Sequence, residues 1–216
     1  MARTLIIGMG EVGQALGKVL ACYNPVLVDL EEVSITETVS VMHVCIPYTE
    51  RFSSYVKSYQ QKYSPRFTVI HSTVPVGTSG ALGALHSPIR GLHPDLESGI
   101  RTFPKFIGGN NASEVADYFR RAGLKVILFD KADTTEAMKL FDTEYYRVCI
   151  EFAHRVKKYC NKHELNFHEV YTLANETYNA GYEKLGHPEF VRPVLQPIMK
   201  PIGGHCIIPN SQLLNE

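Results

Sequence analysis

Three glycines constrain this chain more than any other feature. Gly8, Gly10 and Gly13 stand in GMGEVG, directly after the apolar run TLII (4–7) and directly before the helical pattern QALGKVLACY. In a strand that turns at once into a helix, this spacing has a mechanical reason. The first glycine makes the tight turn, the second lets a pyrophosphate approach the backbone, and the third lets the helix pack close to the strand. The helix N-terminus then meets the phosphates with its N–H groups. Asp29 closes the second run, VLVD, about twenty residues on, where a carboxylate accepts hydrogen bonds from an adenosine ribose. It would repel a 2′-phosphate, so the pattern points to NAD rather than NADP. Glu11 and Val12 lie inside the loop, and Pro47, Ser72 and Thr73 follow later apolar runs, completing the expected cofactor-binding set.

Further apolar runs fall at VLV (26–28), VMHVCI (41–46), FTVI (67–70), KFIGG (105–109) and LKVILF (124–129), with helical patterns between them. Runs rich in Val and Ile without strict alternation suit parallel strands covered on both faces. IRGLHP (89–94) is a weaker strand candidate. The fold class expected is α/β, a Rossmann-type doubly wound parallel sheet followed by a long helix and a small helical C-terminal region. That long helix begins near Thr134, because Met138, Phe141, Tyr145, Val148, Phe152, Val156 and Tyr159 recur at steps of three or four. Roughly thirty residues at ~1.5 Å each span ~45 Å, more than one small domain needs. A homodimer through this helix is therefore expected, with a nucleotide-binding domain over 1–132 and a helical dimerisation and substrate region over 133–216. HEVYTLAN and the stretch after Asn175 read as shorter helices, and Pro188, Pro193, Pro197, Pro201 and Pro209 then break regular structure.

Composition narrows the partners. Twenty-two basic residues balance twenty-two acidic ones, so no long-range field favours nucleic acid or an anionic membrane. No apolar run is long enough to span a bilayer, and the N-terminus reaches the glycine loop too early for a secretory signal. Five cysteines without a CxxC pair read as free thiols in a reducing compartment, with no metal site. A cytoplasmic protein acting on a small-molecule substrate is the expectation.

Three segments refine the chemistry: STVPVGT (72–78), AMKLFDTEYYR (137–147) and KPIGGHCIIPN (200–210). In that order behind the glycine loop, they resemble the nucleotide-sugar 6-dehydrogenases, the UDP-glucose, GDP-mannose and UDP-N-acetyl-hexosamine dehydrogenase family. The resemblance implies oxidation of a sugar primary alcohol to a carboxylate by two hydride transfers to NAD, through a cysteine-bound thiohemiacetal and thioester. It implies Cys206 as nucleophile with His205 beside it, Lys139 as the charge that stabilises oxyanion and alkoxide, and Thr73 as a contact to the catalytic water. Thr143 stands where the family has an asparagine. Asp95 aligns with a family glutamate that acts as a base, and Glu97 with a second acidic position. Asn210 stands where the family has an aspartate, four residues after the cysteine. The family continues into a second α/β domain that grips the nucleotide, whereas this sequence ends ten residues after Cys206, so a short member is expected.

His93 belongs to none of these motifs. GLHP resembles the His-Pro loop of prephenate-dehydrogenase-like proteins, which makes His93 a candidate substrate contact or acid and leaves a small-acid dehydrogenase as an alternative. A non-catalytic NAD-binding or regulatory module is the other alternative. The near-intact GGHC motif and Lys139 speak against it, because a binding module needs no nucleophile.

Overall fold

The computed structural model describes residues 3–29, 33–196 and 207–214. The chain divides into two compact units, with the break between Leu140 and Phe141.

In the first unit the apolar runs become strands β1 (Arg3–Ile7), β2 (Val26–Val28), β3 (Val39–Val44), β4 (Phe67–Ile70), β5 (Leu85–His86), β6 (Lys105–Gly108) and β7 (Val126–Phe129). Helices α1 (Glu11–Val19), α2 (Phe52–Tyr63), α3 (Thr78–Ala81), α4 (Leu96–Thr102) and α5 (Ala112–Arg121) connect them, and α6 (Ala132–Lys162) follows. Among the described residues the strands form one sheet in the order β2-β1-β3-β4-β5-β6-β7. All neighbours are parallel except β5 and β6, which meet antiparallel at His86 and Gly108.

Alternation of side chains explains why the runs are apolar throughout. Ile6, Val41 and Val69 point to a core shared with Leu16 and Val19 of α1, Leu96 and Ile100 of α4, and Phe119 of α5. Leu5, Ile7, Met42, Val44 and Ile70 point the other way, to Phe52 and Val56 of α2 and to Leu82. Strands β1, β3 and β4 therefore bury both of their faces, whereas Leu27 of the edge strand β2 is exposed. Strand β7 departs from this, since Ile127 and Leu128 are exposed at the sheet edge.

The segment 89–94 is a loop, not the strand its sequence suggested. Gly91 takes φ +155°, where a Cβ would meet Gly99 Cα at 3.1 Å, and the Ile89 carbonyl is occupied by Lys139 rather than by a ladder partner. The neighbouring strand is the short Leu85–His86 instead.

In the second unit the rest of α6 is joined by α7 (Ala174–Lys184) and α8 (Ile207–Leu213). The segment HEVYTL (168–173) winds as a wider π-type turn leading into α7. Ala153 and Cys160 of α6 pack with Phe167 and Tyr171 into a small core, bordered by Val156, Val194 and Leu195. The stripe read from the sequence is largely a different face of α6: Phe141 and Tyr145 are 63% exposed, and Val148, Phe152 and Tyr159 are exposed too. Pro209 does not break structure. It lies in the first turn of α8, where a missing N–H costs no helical bond. Among the described residues no helix is long and apolar enough to cross a membrane.

Candidate functional site

Strand order reverses between β1 and β3, which are neighbours with β2 on the outer side of β1. In open α/β sheets such a switch point leaves a crevice beyond the carboxyl ends of the strands. The glycine loop follows β1 into that crevice, and its three glycines have distinct surroundings. Gly8 takes φ +94°, and a Cβ there would meet the backbone of Cys45 at 2.9 Å. A Cβ on Gly13 would lie 1.8 Å from the Gly8 carbonyl oxygen. Among the described residues, nothing lies within 4 Å of the position a Cβ on Gly10 would take. No side chain caps α1 at Gly10, so the first-turn N–H groups are left for an anion. Val12 is half-buried and packs on the core beneath, while Glu11 opens the helix at the surface.

Asp29 is exposed at the end of β2 and accepts a hydrogen bond from the Met9 N–H at 3.3 Å, which places its carboxylate beside the glycine loop. Pro47 is exposed just beyond β3. Ser72 donates through its hydroxyl to the Ile46 carbonyl at 2.5 Å, tying the loop after β4 to the loop after β3. Thr73, beside it, is half-buried. The cofactor-binding set read from the sequence therefore gathers at one sheet edge.

The first turns of α6 hold this edge together through residues the sequence reading did not single out. His86 is fully buried. Its Nε2 lies 3.2 Å from the Ser72 carbonyl and its Nδ1 lies 2.9 Å from the Thr135 hydroxyl. A carbonyl can only accept, so Nε2 carries the proton and Nδ1 accepts from Thr135. Burial pushes the imidazole down to about 3, which keeps it neutral. Glu136 is also fully buried and accepts from the Gly77 N–H at 2.7 Å and the Ser79 N–H at 2.8 Å. Lys139 is half-buried and donates to the Ile89 carbonyl at 3.1 Å. The one cue available in sequence was EAMK, a carboxylate three residues before the lysine on one helix.

A second buried polar chain crosses the core. Tyr118 OH lies 3.0 Å from His43 Nε2, His43 Nδ1 lies 2.9 Å from His71 Nε2, and His71 Nδ1 lies 2.6 Å from the Ser87 carbonyl. That carbonyl fixes every tautomer: His71 donates to Ser87, His43 donates to His71, and Tyr118 donates to His43. Burial pushes His43 down to about 3 and His71 well below its ordinary value. Lys105, buried alongside, donates to the Ser87 and Pro88 carbonyls at 3.0 and 2.9 Å. Burial lowers it to about 7. Lys105 and Lys139 thus hold three successive carbonyls at the root of the loop that carries His93.

Nδ1 of His93 pairs with Glu11 Oε2, joining that loop to the first turn of α1. Asp95 caps α4 by accepting from the Ser98 N–H at 3.2 Å, and hydrogen bonding from the Ser98 side chain, then from this N–H, holds its carboxyl below the usual range. Glu97 pairs with Arg101 at 3.0 Å on the surface of α4.

Within the second unit, Asn210 Nδ2 donates to the Thr143 hydroxyl at 3.3 Å, and Ser211 donates to Glu144 at 2.8 Å. His205 and Cys206 lie outside the described residues. Of the other cysteines, Cys22 is exposed, Cys45 and Cys149 are half-buried, Cys160 is buried, and all four are free thiols.

A sheet that reverses its order at a glycine loop, with an acid at the next strand end, defines the Rossmann-type, doubly wound class of α/β fold. No protein-family model matches the chain, and no curated protein matches it in sequence. Solved structures do match in fold. UDP-D-ManNAc dehydrogenase from Pyrococcus horikoshii aligns with a TM-score of 0.80 at 18% identity, over 98% of this chain and 63% of that one. NDP-N-acetyl-D-galactosaminuronic acid dehydrogenase from Methanosarcina mazei aligns at 0.70 and 18%, over 100% of this chain and 60% of that one. 3-Hydroxyisobutyrate dehydrogenase from Mycobacterium tuberculosis aligns at 0.57 and 15%, over 77% and 67%. The chain thus spans less than two thirds of the two sugar-nucleotide enzymes, and at these identities the likeness is one of fold.

Proposed function

We propose that this chain is an NAD-dependent dehydrogenase that oxidises an alcohol, through its aldehyde, to a carboxylate, acting on a sugar or nucleotide sugar as a cytoplasmic homodimer. The observation that carries the reading is the contrast among the glycines. Gly8 and Gly13 are required by the turn itself, whereas nothing among the described residues requires Gly10. A ligand backed against the loop accounts for it. The uncapped start of α1 supplies donors for a pyrophosphate, and Asp29 supplies acceptors for a ribose. The residues present therefore fit NAD, which when bound accepts hydride from the substrate carbon.

Lys139 supplies positive charge where alkoxide or oxyanion develops, and the Thr73 hydroxyl holds water. The thiolate of Cys206 adds to the aldehyde carbon, forming a C–S bond, and loss of the second hydride leaves a thioester. Water then cleaves that bond, releasing the carboxylate and returning the thiol. Thr143 lies four residues from Lys139 and Asn210 four from Cys206 in sequence, and the resemblance gives both a part in the same reaction. The exposed stripe from Phe141 to Tyr159 supports pairing with a second copy, since so large an apolar surface left in water invites association.

The test is a count of NADH formed per substrate across candidate alcohols, aldehydes and nucleotide sugars. Two per alcohol from the parent, and at most one from Cys206→Ser, are expected. One per substrate from both would remove the cysteine route. That outcome favours a second reading, a dehydrogenase of small hydroxy acids, which the likeness to 3-hydroxyisobutyrate dehydrogenase supports.

A further inference from the structure

A carboxylate with no solvent exposure is costly unless charge-assisted hydrogen bonds replace its water. Glu136 is in that position, and both its oxygens are taken by backbone N–H groups of one turn, those of Gly77 and Ser79. Local capping does not need such an arrangement. In the same unit Asp95 caps α4 from an exposed position three residues before its partner. Glu136 instead reaches its partners across 57 and 59 residues of sequence. On one side it anchors the Pro75–Thr78 turn and the start of α3, the far end of the loop that begins with Ser72 and Thr73. On the other it sits three residues before Lys139, on the same face of α6.

We infer that Glu136 is the positioning residue of the site, its carboxylate fixing the far end of the loop from Ser72 and Thr73 to Ser79 against the helix turn that carries Lys139. The inference rests on the roles proposed above for Thr73 and Lys139. The charge matters as well as the shape. A glutamine of equal length can accept from one N–H, but its own NH2 group then faces the other. Gly77 adds to the demand, because the turn there takes φ +92° and is held by the bond to Glu136. His86, bridging Thr135 to the Ser72 carbonyl, supports the turn from its other end.

The experiment compares the parent, Glu136→Gln and Glu136→Asp on the full chain, with two readouts. Amide hydrogen exchange in the absence of ligand reads the turn directly. Glu136→Gln is expected to lose protection at Gly77 and Ser79 and to perturb Ser72 and Thr73, with the central strands unchanged. Glu136→Asp keeps the charge and should fall between the two. Calorimetric titration with NAD+ reads the consequence: about tenfold weaker binding in Glu136→Gln, partly restored in Glu136→Asp. Uniform loss of protection with unchanged NAD+ affinity would reduce Glu136 to a structural role and overturn the inference. So would unaltered exchange at Ser72 and Thr73. Should Glu136→Gln fail to fold, Glu136→Asp decides by the same two readouts. A parent that does not bind NAD+ contradicts the proposed function, while the exchange readout still decides whether Glu136 fixes the turn.

Discussion

Asn210 donates its side-chain amide to the hydroxyl of Thr143, and Asn210 is buried while doing so. Both positions depart from the pattern of the nucleotide-sugar 6-dehydrogenases, and in this chain they are partners. The next residue along, Ser211, bonds to the next residue along the helix, Glu144, so α8 is stitched to α6 by two successive pairs. A neutral amide facing a hydroxyl needs no counter-charge. The two departures are thus matched to each other.

Asn210→Asp tests that match. It buries a carboxylate one residue from the Glu144 contact and should destabilise the second unit by about 2 kcal/mol. Adding Thr143→Asn, which supplies amide donors, should restore at least part of the loss. Melting followed by circular dichroism, read as a double-mutant cycle, measures the coupling. Identical melting in the parent and in Asn210→Asp would remove the pairing as a determinant.

Two alanine substitutions separate fold from cofactor at the glycine loop. Gly13→Ala places a Cβ 1.8 Å from the Gly8 carbonyl, so helix or strand must move, at a cost of roughly 3 kcal/mol or more. Gly10→Ala meets nothing among the described residues within 4 Å and should melt like the parent. It should nevertheless weaken NAD+ binding by about tenfold or more, because the new methyl group occupies the approach to the backbone. Full affinity in Gly10→Ala would place the dinucleotide elsewhere.

Lys105 makes stability depend on pH in a stated direction. Burial lowers its pKa from 10.5 to about 7, with Lys139 adding to the fall and Cys45 opposing it. Between those values the unfolded chain binds one more proton than the folded one, so stability rises with pH, by about 1.4 kcal/mol per unit. The cleanest window is pH 7 to 9, since above an ordinary thiol value of 9.0 Cys45, pushed up to about 12, contributes the opposite slope. His43, His71 and His86 are all lowered too, and they act below pH 6.5. Denaturant melts from pH 7 to 9 should show the slope in the parent and lose it in Lys105→Met. An equal slope in both would place the linkage on another group.

The sheet was legible in the sequence because its central strands bury both faces, which leaves unbroken runs such as TLII and FTVI at their observed positions. The glycine loop was legible because two of its glycines are forced by contacts within the chain. Strand β5 was not, since two residues give no pattern, and IRGLHP offered a longer apolar decoy whose Ile89 carbonyl is claimed by Lys139. The anchors Glu136, Thr135 and His86 were hidden for a different reason. Each is an ordinary polar residue until tertiary structure brings Ser72, Gly77 and Ser79 to it. Along α6 the apolar period was read correctly, but it marked largely the exposed face, while Ala153 and Cys160 build the core.

The central claim is that the crevice beside Gly10 and Asp29 is an NAD site, and calorimetric titration of the parent and Asp29→Ala with NAD+ and NADP+ tests it most directly. NAD+ should bind the parent at least about tenfold more tightly than NADP+, and Asp29→Ala should narrow that gap by weakening NAD+. Equal affinity for the two cofactors in the parent, or indifference of NAD+ binding to Asp29→Ala, would contradict the account.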